Sequence, residues 1–313
     1  MIAIDESTEA ALVAPAHKEL AYLEKFGRPL LPSCRERRKG YQYQEQLPLA
    51  HIENLKHYLL IASSLVPRDR HFCICHPDLH QNNIIVWKSS DSGWQVVGLL
   101  DWQYTSILPL FLLAGLPQRT QSHGAVLQYL MLPSLPEDFD ELEEAERTGE
   151  EEVYCNRLEP YHYVTNTEKY NKPHYDAMMD PMCALCRHLF NLSSYPWEGE
   201  TLELKVALIE ATERWETLTG GGVPCPVVFD AEDARKTVEL NEVQGKADKV
   251  FQFCQNILGL GPEGWVPTQD YKKAMALCKE MKEEALTEAT SEEGWAGIMA
   301  HWPWDDMDEE KYL

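Results

Sequence analysis

Asp78, Asn83 and Asp101 are the residues of this 313-residue chain whose types and spacing could do chemistry. Asp78 and Asn83 lie in the polar cluster His76-Pro77-Asp78-Leu79-His80-Gln81-Asn82-Asn83, between apolar runs at 72–75 and 84–87. A polar turn at 89–93 and a third apolar run at 94–100 then deliver Asp101. Phosphoryl transfer from a nucleotide needs a carboxylate that orients the attacking hydroxyl and accepts its proton, plus oxygen ligands that hold Mg²⁺ against the phosphates. Asp78 can be the base. Asn83 and Asp101 can be the ligands, because Mg²⁺ prefers hard oxygen donors and leaves most of its shell to water and phosphate.

Those three residues must be positioned by the elements around them. Short β-branched runs bounded by Ser, Asp and Gly predict strands, so the cluster falls in a strand-to-strand loop and Asp101 leaves the end of a hairpin beside Asn83. The plain alternative is a polar β-turn whose Asp and Asn only satisfy backbone groups. The strand context on both sides and the second Asp weigh against it.

The pattern His-x-Asp-Leu-x-x-x-Asn, followed by an Asp that closes a hairpin, resembles the catalytic loop and metal-binding Asp of the protein-kinase-like superfamily. With His80 two places after Asp78 it is more similar to aminoglycoside and choline phosphotransferases. The continuation Leu100-Asp101-Trp102-Gln103 with Pro109-Leu110-Phe111 resembles the fungal phosphotransferase-like group named for altered inheritance of mitochondria. The resemblance implies ATP and Mg²⁺ as cofactors, a small-molecule hydroxyl of unknown identity as acceptor, and a mitochondrial location. It makes Asp78 the base, with His76 beside it as a brace of the loop rather than a reacting group, and His80 in a similar role. Asn83 and Asp101 become the metal ligands, and Ile85 and Leu100 the floor under an adenine. Where relatives carry Pro-Gly before the Asn, this chain has Gln81-Asn82, and Asn82 is expected to take over the left-handed backbone that a glycine would supply.

Upstream the pattern departs from the superfamily. Kinase-like enzymes grip the phosphates with a glycine-rich loop and a strand lysine. The 75 residues before His76 hold two separated glycines, Gly27 and Gly40, and no lysine in a strand pattern. The fold expected is therefore α+β, mainly α: a kinase-like C-terminal lobe with a small β-hairpin and no N-terminal lobe. A non-catalytic binding or scaffold protein is the rival from another class, which leaves room for a protein partner. An incomplete product of a longer gene is a third reading.

Composition narrows the setting. A net charge of −23, from 28 basic and 51 acidic residues, disfavours nucleic acid and anionic membranes, and suits solubility before it suits a cationic substrate. Nine cysteines without a regular framework fit a reducing compartment. The acidic start has neither a signal peptide's core nor the character of a presequence, so the sequence itself points to the cytoplasm. The longest apolar run, 107–116, is too short to cross a bilayer and is expected to be core.

Along the chain, 1–313 is expected to form one lobe: leading helices at 1–70, the loop and hairpin at 71–111, a mobile acidic insertion at 137–152 and a helical subdomain at 154–313. Pro15 should open a helix that ends at Gly27. Ile52, Leu55, Leu59, Ala62 and Val66 mark a helical face. Arg35-Glu36-Arg37-Arg38-Lys39 should be a solvated basic turn. Helix is expected from about Thr167. Cys183 and Cys186 have zinc spacing but lack a second pair. Stripes at Leu204/Leu208/Ala211/Trp215/Leu218, Val243/Ala247/Val250/Cys254/Ile257 and Ala274/Leu277/Met281/Ala285 predict three helices, with 220–222 as a breaker that lacks the residues of a phosphate loop. Trp302-Pro303-Trp304 should dock the C-terminal end onto helices.

Overall fold

The computed structural model describes residues 7–66, 71–76, 78–90, 93–103, 105–116, 130–136, 138–261 and 264–305. Expectations that fall on Pro67, Pro77, Glu137 and 306–313 lie outside the described residues. In chain order the elements are α1 (Thr8–Phe26), α2 (Leu49–Ala62), β1 (Phe72–Cys75), β2 (Ile84–Ser89), β3 (Gly93–Leu99), β4 (Ser106–Pro109) and α3 (Leu110–Leu113). There follow α4 (Glu144–Tyr170), α5 (Lys172–Met179), α6 (Pro181–Ser194), α7 (Leu202–Glu213), α8 (Trp215–Thr219), α9 (Ala231–Leu258), α10 (Tyr271–Glu288) and α11 (Glu292–His301). The class is α+β and mainly α. The chain groups into two compact units. The first comprises Met1–Gly27, Leu49–Pro196 and Glu203–Phe229; the second comprises Arg28–Pro48, Trp197–Leu202 and Asp230–Leu313.

In the first unit α1 starts earlier than Pro15 predicts, because the Ser7 hydroxyl accepts from the Ala10 amide at 3.1 Å and satisfies an orphan N–H of the first turn. Pro15 therefore sits inside the helix. Gly27 ends it as expected, its N–H donating to the Leu23 carbonyl at 2.8 Å. The face that α2 buries is His51, Asn54, Leu55, Tyr58, Ile61 and Ala62, rotated from the predicted stripe. The stripe counted aliphatic side chains and missed Tyr58, whose ring is fully buried and whose hydroxyl donates to the Leu12 carbonyl of α1 at 3.0 Å. A buried tyrosine satisfied in this way contributes as much apolar area as any aliphatic neighbour.

Helix α4 begins at Glu144, far ahead of the expected start near Thr167. Its acidic opening turns face the positive end of the helix dipole and consist largely of good helix formers, so the charge run does not prevent helix. The far end of α4 packs Val164 with Met178 of α5 and with Ala114 and Leu116 behind α3. On α6, Cys183 and Cys186 are core residues. The Cys186 thiol donates to the Leu65 carbonyl, and burial pushes its pKa up to about 12. No group of three His, Cys, Asp or Glu that could hold a metal occurs among the described residues. Leu204, Leu208, Ala211 and Trp215 are buried as the stripe predicts. Gly220, Gly221 and Gly222 then take φ of 76°, 83° and 80°, conformations that stop a helix.

In the second unit the basic cluster is a staple rather than a solvated turn. It forms a 3₁₀ helix, Arg35–Tyr41, in which Arg37 makes paired hydrogen bonds to Asp248 at 2.9 Å and a third to Glu200 at 3.0 Å. Arg38 donates to the Pro32 carbonyl, and Arg35 to that of Pro303. Helix α9 corrects a second expectation: Val243, Val250 and Ile257 are exposed, and the buried positions are Thr237, Gln244 and Leu258. Gly40 lies so close that a Cβ there would stand 3.2 Å from Gln244 Nε2 and 3.3 Å from Leu240 Cδ1. The predicted face of α10 (Ala274, Leu277, Met281, Ala285) is half-buried. Trp304 stacks on Phe251 of α9 with centroids 5.0 Å apart, as expected of a docking aromatic. No helix among the described residues is long and apolar enough to cross a membrane.

Candidate active site

Strand pairing puts the polar loop and Asp101 side by side. β2 and β3 form an antiparallel hairpin with Ile84 opposite Leu99 and Ile85 opposite Gly98, and a register shift between Ile85 and Val86. One step beyond the last pair, the Leu100 amide donates to the Asn83 carbonyl at 2.8 Å, so the residue before Asp101 is tied to Asn83 itself. β1 and β4 pair separately, Cys75 opposite Ser106, and bracket the loop and hairpin from outside.

Within the loop the side chains hold one another. Asn83, at the end of a 3₁₀ turn (Gln81–Asn83), is buried; its Nδ2 donates to the Asp78 carbonyl at 2.9 Å and lies 3.4 Å from Asp78 Oδ2. With the amide nitrogen committed to Asp78, the amide oxygen is the atom left for a metal. The Asp78 carboxylate is itself exposed, which a base that must reach a substrate hydroxyl requires. His76 accepts from the Asp78 amide at Nδ1 (3.2 Å), so its proton is on Nε2, which donates to the Leu100 carbonyl at 2.7 Å. His76 thus ties the loop to the segment that carries Asp101. Trp102 packs its ring edge-to-face on His76, centroids 4.9 Å apart, and its indole N–H donates to the Leu99 carbonyl.

Asp101 has φ = 59°, one of three non-glycine residues with positive φ among those described. Asn82, expected to be left-handed, is not among them. The Gln81–Asn83 turn is 3₁₀, with the His80 imidazole capping it by accepting from the Asn82 amide, so no left-handed residue is needed there. The special backbone is at the candidate metal ligand instead. Ile85 and Leu100 are exposed at 44% and 49%, open to a ligand on the hairpin. The Trp102 contact and the left-handed Asp101 were missed by sequence reasoning. For Trp102 no spacing signals the packing, and for Asp101 the one available hint is that Asp tolerates this conformation better than most residues.

The model of the phosphotransferase enzyme family (APH) matches residues 8–111, which run from α1 through α2, the loop and the hairpin to the start of α3. Over 320 aligned residues the chain is 23% identical to a subtelomeric hrmA-associated cluster protein of Aspergillus fumigatus strain CEA10, and equally to one of strain Af293. Each alignment covers 99% of this chain and 60% of the relative, so the chain spans 60% of the length of the curated proteins it matches. No solved structure matches the chain.

Proposed function

We propose that the loop and hairpin are the catalytic half of an ATP-dependent phosphotransferase acting on a small-molecule hydroxyl. The observation that carries this reading is the fork of hydrogen bonds by which Asn83 grips Asp78 while its carbonyl receives the Leu100 amide. One buried amide thereby sets the distance between base and metal site. Asp78 orients the acceptor hydroxyl and takes its proton. Asn83 and Asp101 supply an amide and a carboxylate oxygen, a donor set that suits Mg²⁺. When bound, the ion neutralises charge on the phosphate oxygens. Ile85 and Leu100 offer apolar surface to a purine.

Phosphoryl transfer depends on positioning and charge stabilisation more than on covalent chemistry, so the rate rests on how firmly the loop holds the base against the metal site. The test is ATP consumption by the purified chain against a panel of hydroxyl acceptors. Turnover is expected to fall by on the order of 100-fold or more in Asp78→Asn. Turnover that is the same in Asp78→Asn contradicts the site.

A second reading, a non-catalytic binding protein, is favoured by one observation. On one face of the hairpin Val86, Trp94 and Val96 are exposed at 48–67%, and adjoining apolar surface of this kind marks a contact with another body. Metal-dependent ATP binding without any turnover would select it.

A further inference from the structure

The loop contains the same small device twice. His76 and His80 each accept, at Nδ1, the backbone amide two residues ahead, that of Asp78 and that of Asn82, both at 3.2 Å. A neutral imidazole that accepts at Nδ1 carries its proton on Nε2. In His76 that proton goes to the Leu100 carbonyl. In His80, Nε2 lies 3.1 Å from Asp78 Oδ2. The 3.4 Å approach of Asn83 Nδ2 to the same His80 nitrogen then brings two donors together and is no hydrogen bond.

From this we infer that His80 is a positioning residue for the base: its Nε2–H fixes the Asp78 carboxylate and leaves Oδ1 as the oxygen that receives the substrate's proton. The inference rests on the phosphotransferase reading above and deepens it. Oδ2 is engaged from two sides, by His80 and at longer range by Asn83 Nδ2, whereas Oδ1 has no hydrogen-bond partner among the described residues. In the transfer, the acceptor oxygen bonds to the γ-phosphorus and the bond from that phosphorus to the β,γ-bridging oxygen breaks. ADP leaves with the electron pair, and the hydroxyl proton passes to Asp78 Oδ1. A carboxylate held by one oxygen keeps the other in one direction, which is what a base needs and what an exposed, freely rotating Asp would lack. His80 is 22% exposed and Asp78 61%, so the contact is too solvated to hold the fold together. Its effect is on orientation, and stability measurements would not detect it.

Two substitutions divide the functions of His80. His80→Asn puts an amide oxygen where Nδ1 stood, keeping the cap on Asn82 and losing the donor to Asp78. His80→Gln puts an amide nitrogen near the position of Nε2, keeping the donor and losing the cap. The experiment is NMR on the 313-residue chain with ¹⁵N-labelled His and ¹³Cγ-labelled Asp, at pH about 8, above the usual imidazole range. The expected result is an Nε2–H tautomer at His80, a carboxylate carbon of Asp78 that shifts in His80→Asn, and its return towards the parent position in His80→Gln. A proton on Nδ1 of His80, or the same Asp78 carbon shift in all three proteins, overturns the inference. MgATP titration of the parent separates the two levels. Failure to bind MgATP, with the NMR result as expected, removes the phosphotransferase reading and leaves the His80–Asp78 arrangement standing.

Discussion

A left-handed φ costs a non-glycine residue roughly 1 kcal/mol or more, and Asp101 bears that cost at the position offered as a metal ligand. Strain of this kind persists where the surroundings over-determine it, here through the Leu100 amide on Asn83 and the Leu100 carbonyl on His76. The hairpin that sets Asp101 beside the loop of Asp78 and Asn83 was legible in the sequence, because short β-branched runs bounded by turn residues announce it. The tautomers of the two histidines were not, because only partner distances reveal them. Away from the loop, His51 on α2 is buried at 5% exposure, and burial pulls its pKa down to about 4. Burial also lowers His174 and His188. The unfolded chain takes up a proton at the ordinary value near 6.5 while the folded chain resists it, so the stability from a neutral His51 is full above pH about 6.5 and is lost as pH falls towards 4. A lowering of this size corresponds to about 3 kcal/mol at its limit. Urea unfolding of the parent should weaken steadily from pH about 7 to pH about 4.5, and His51→Gln should flatten that slope. An equal slope in both would remove His51 as a cause.

Helices α2 and α9 show why faces are harder to read than elements. Both helices form near where they are expected; α2 buries Leu55 and Ala62 of its predicted stripe on a face turned towards Tyr58 and Ile61, whereas α9 buries a different side from the apolar count. α2 turns to bring Tyr58 onto α1, and α9 buries Thr237 and Gln244, with Gly40 close against Gln244. Periodicity registers apolar side chains alone, so a face made of one tyrosine, an amide and a hydroxyl is invisible to it. The staple at Arg37 belongs to the same class of miss, since its partners Glu200 and Asp248 are 163 and 211 residues away in sequence. Its guanidinium is 17% exposed, and it joins three separate segments of the second unit. Removing it leaves two carboxylates partly buried without their cation, a loss of about 3 kcal/mol, the low end for two charged hydrogen bonds and for a broken buried pair. Arg37→Ala should lower the urea midpoint of the second unit accordingly, and Arg37→Lys, which cannot make the paired contact to Asp248, should recover only part of it. A midpoint unchanged by Arg37→Ala would show the staple to be energetically idle.

On the scale of the whole molecule, a charge of −23 works against free nucleotide, so the proposed binding of ATP would need a metal ion to offset that field. Two protein oxygens are few for Mg²⁺, so affinity for the metal alone should be weak and coupled to the nucleotide. The match to the phosphotransferase family ends at residue 111, and the helices beyond it carry no motif that selects an acceptor. In the proposed site Asn83 and Asp101 hold a metal that presents ATP to Asp78. Calorimetric titration of ATP into the chain, with and without Mg²⁺, tests it most directly when the parent, Asp101→Ala and Asp78→Asn are compared. Binding that requires Mg²⁺ in the parent, disappears in Asp101→Ala and survives in Asp78→Asn is the predicted result. Binding of equal strength in the parent and Asp101→Ala, or binding indifferent to Mg²⁺, would contradict it.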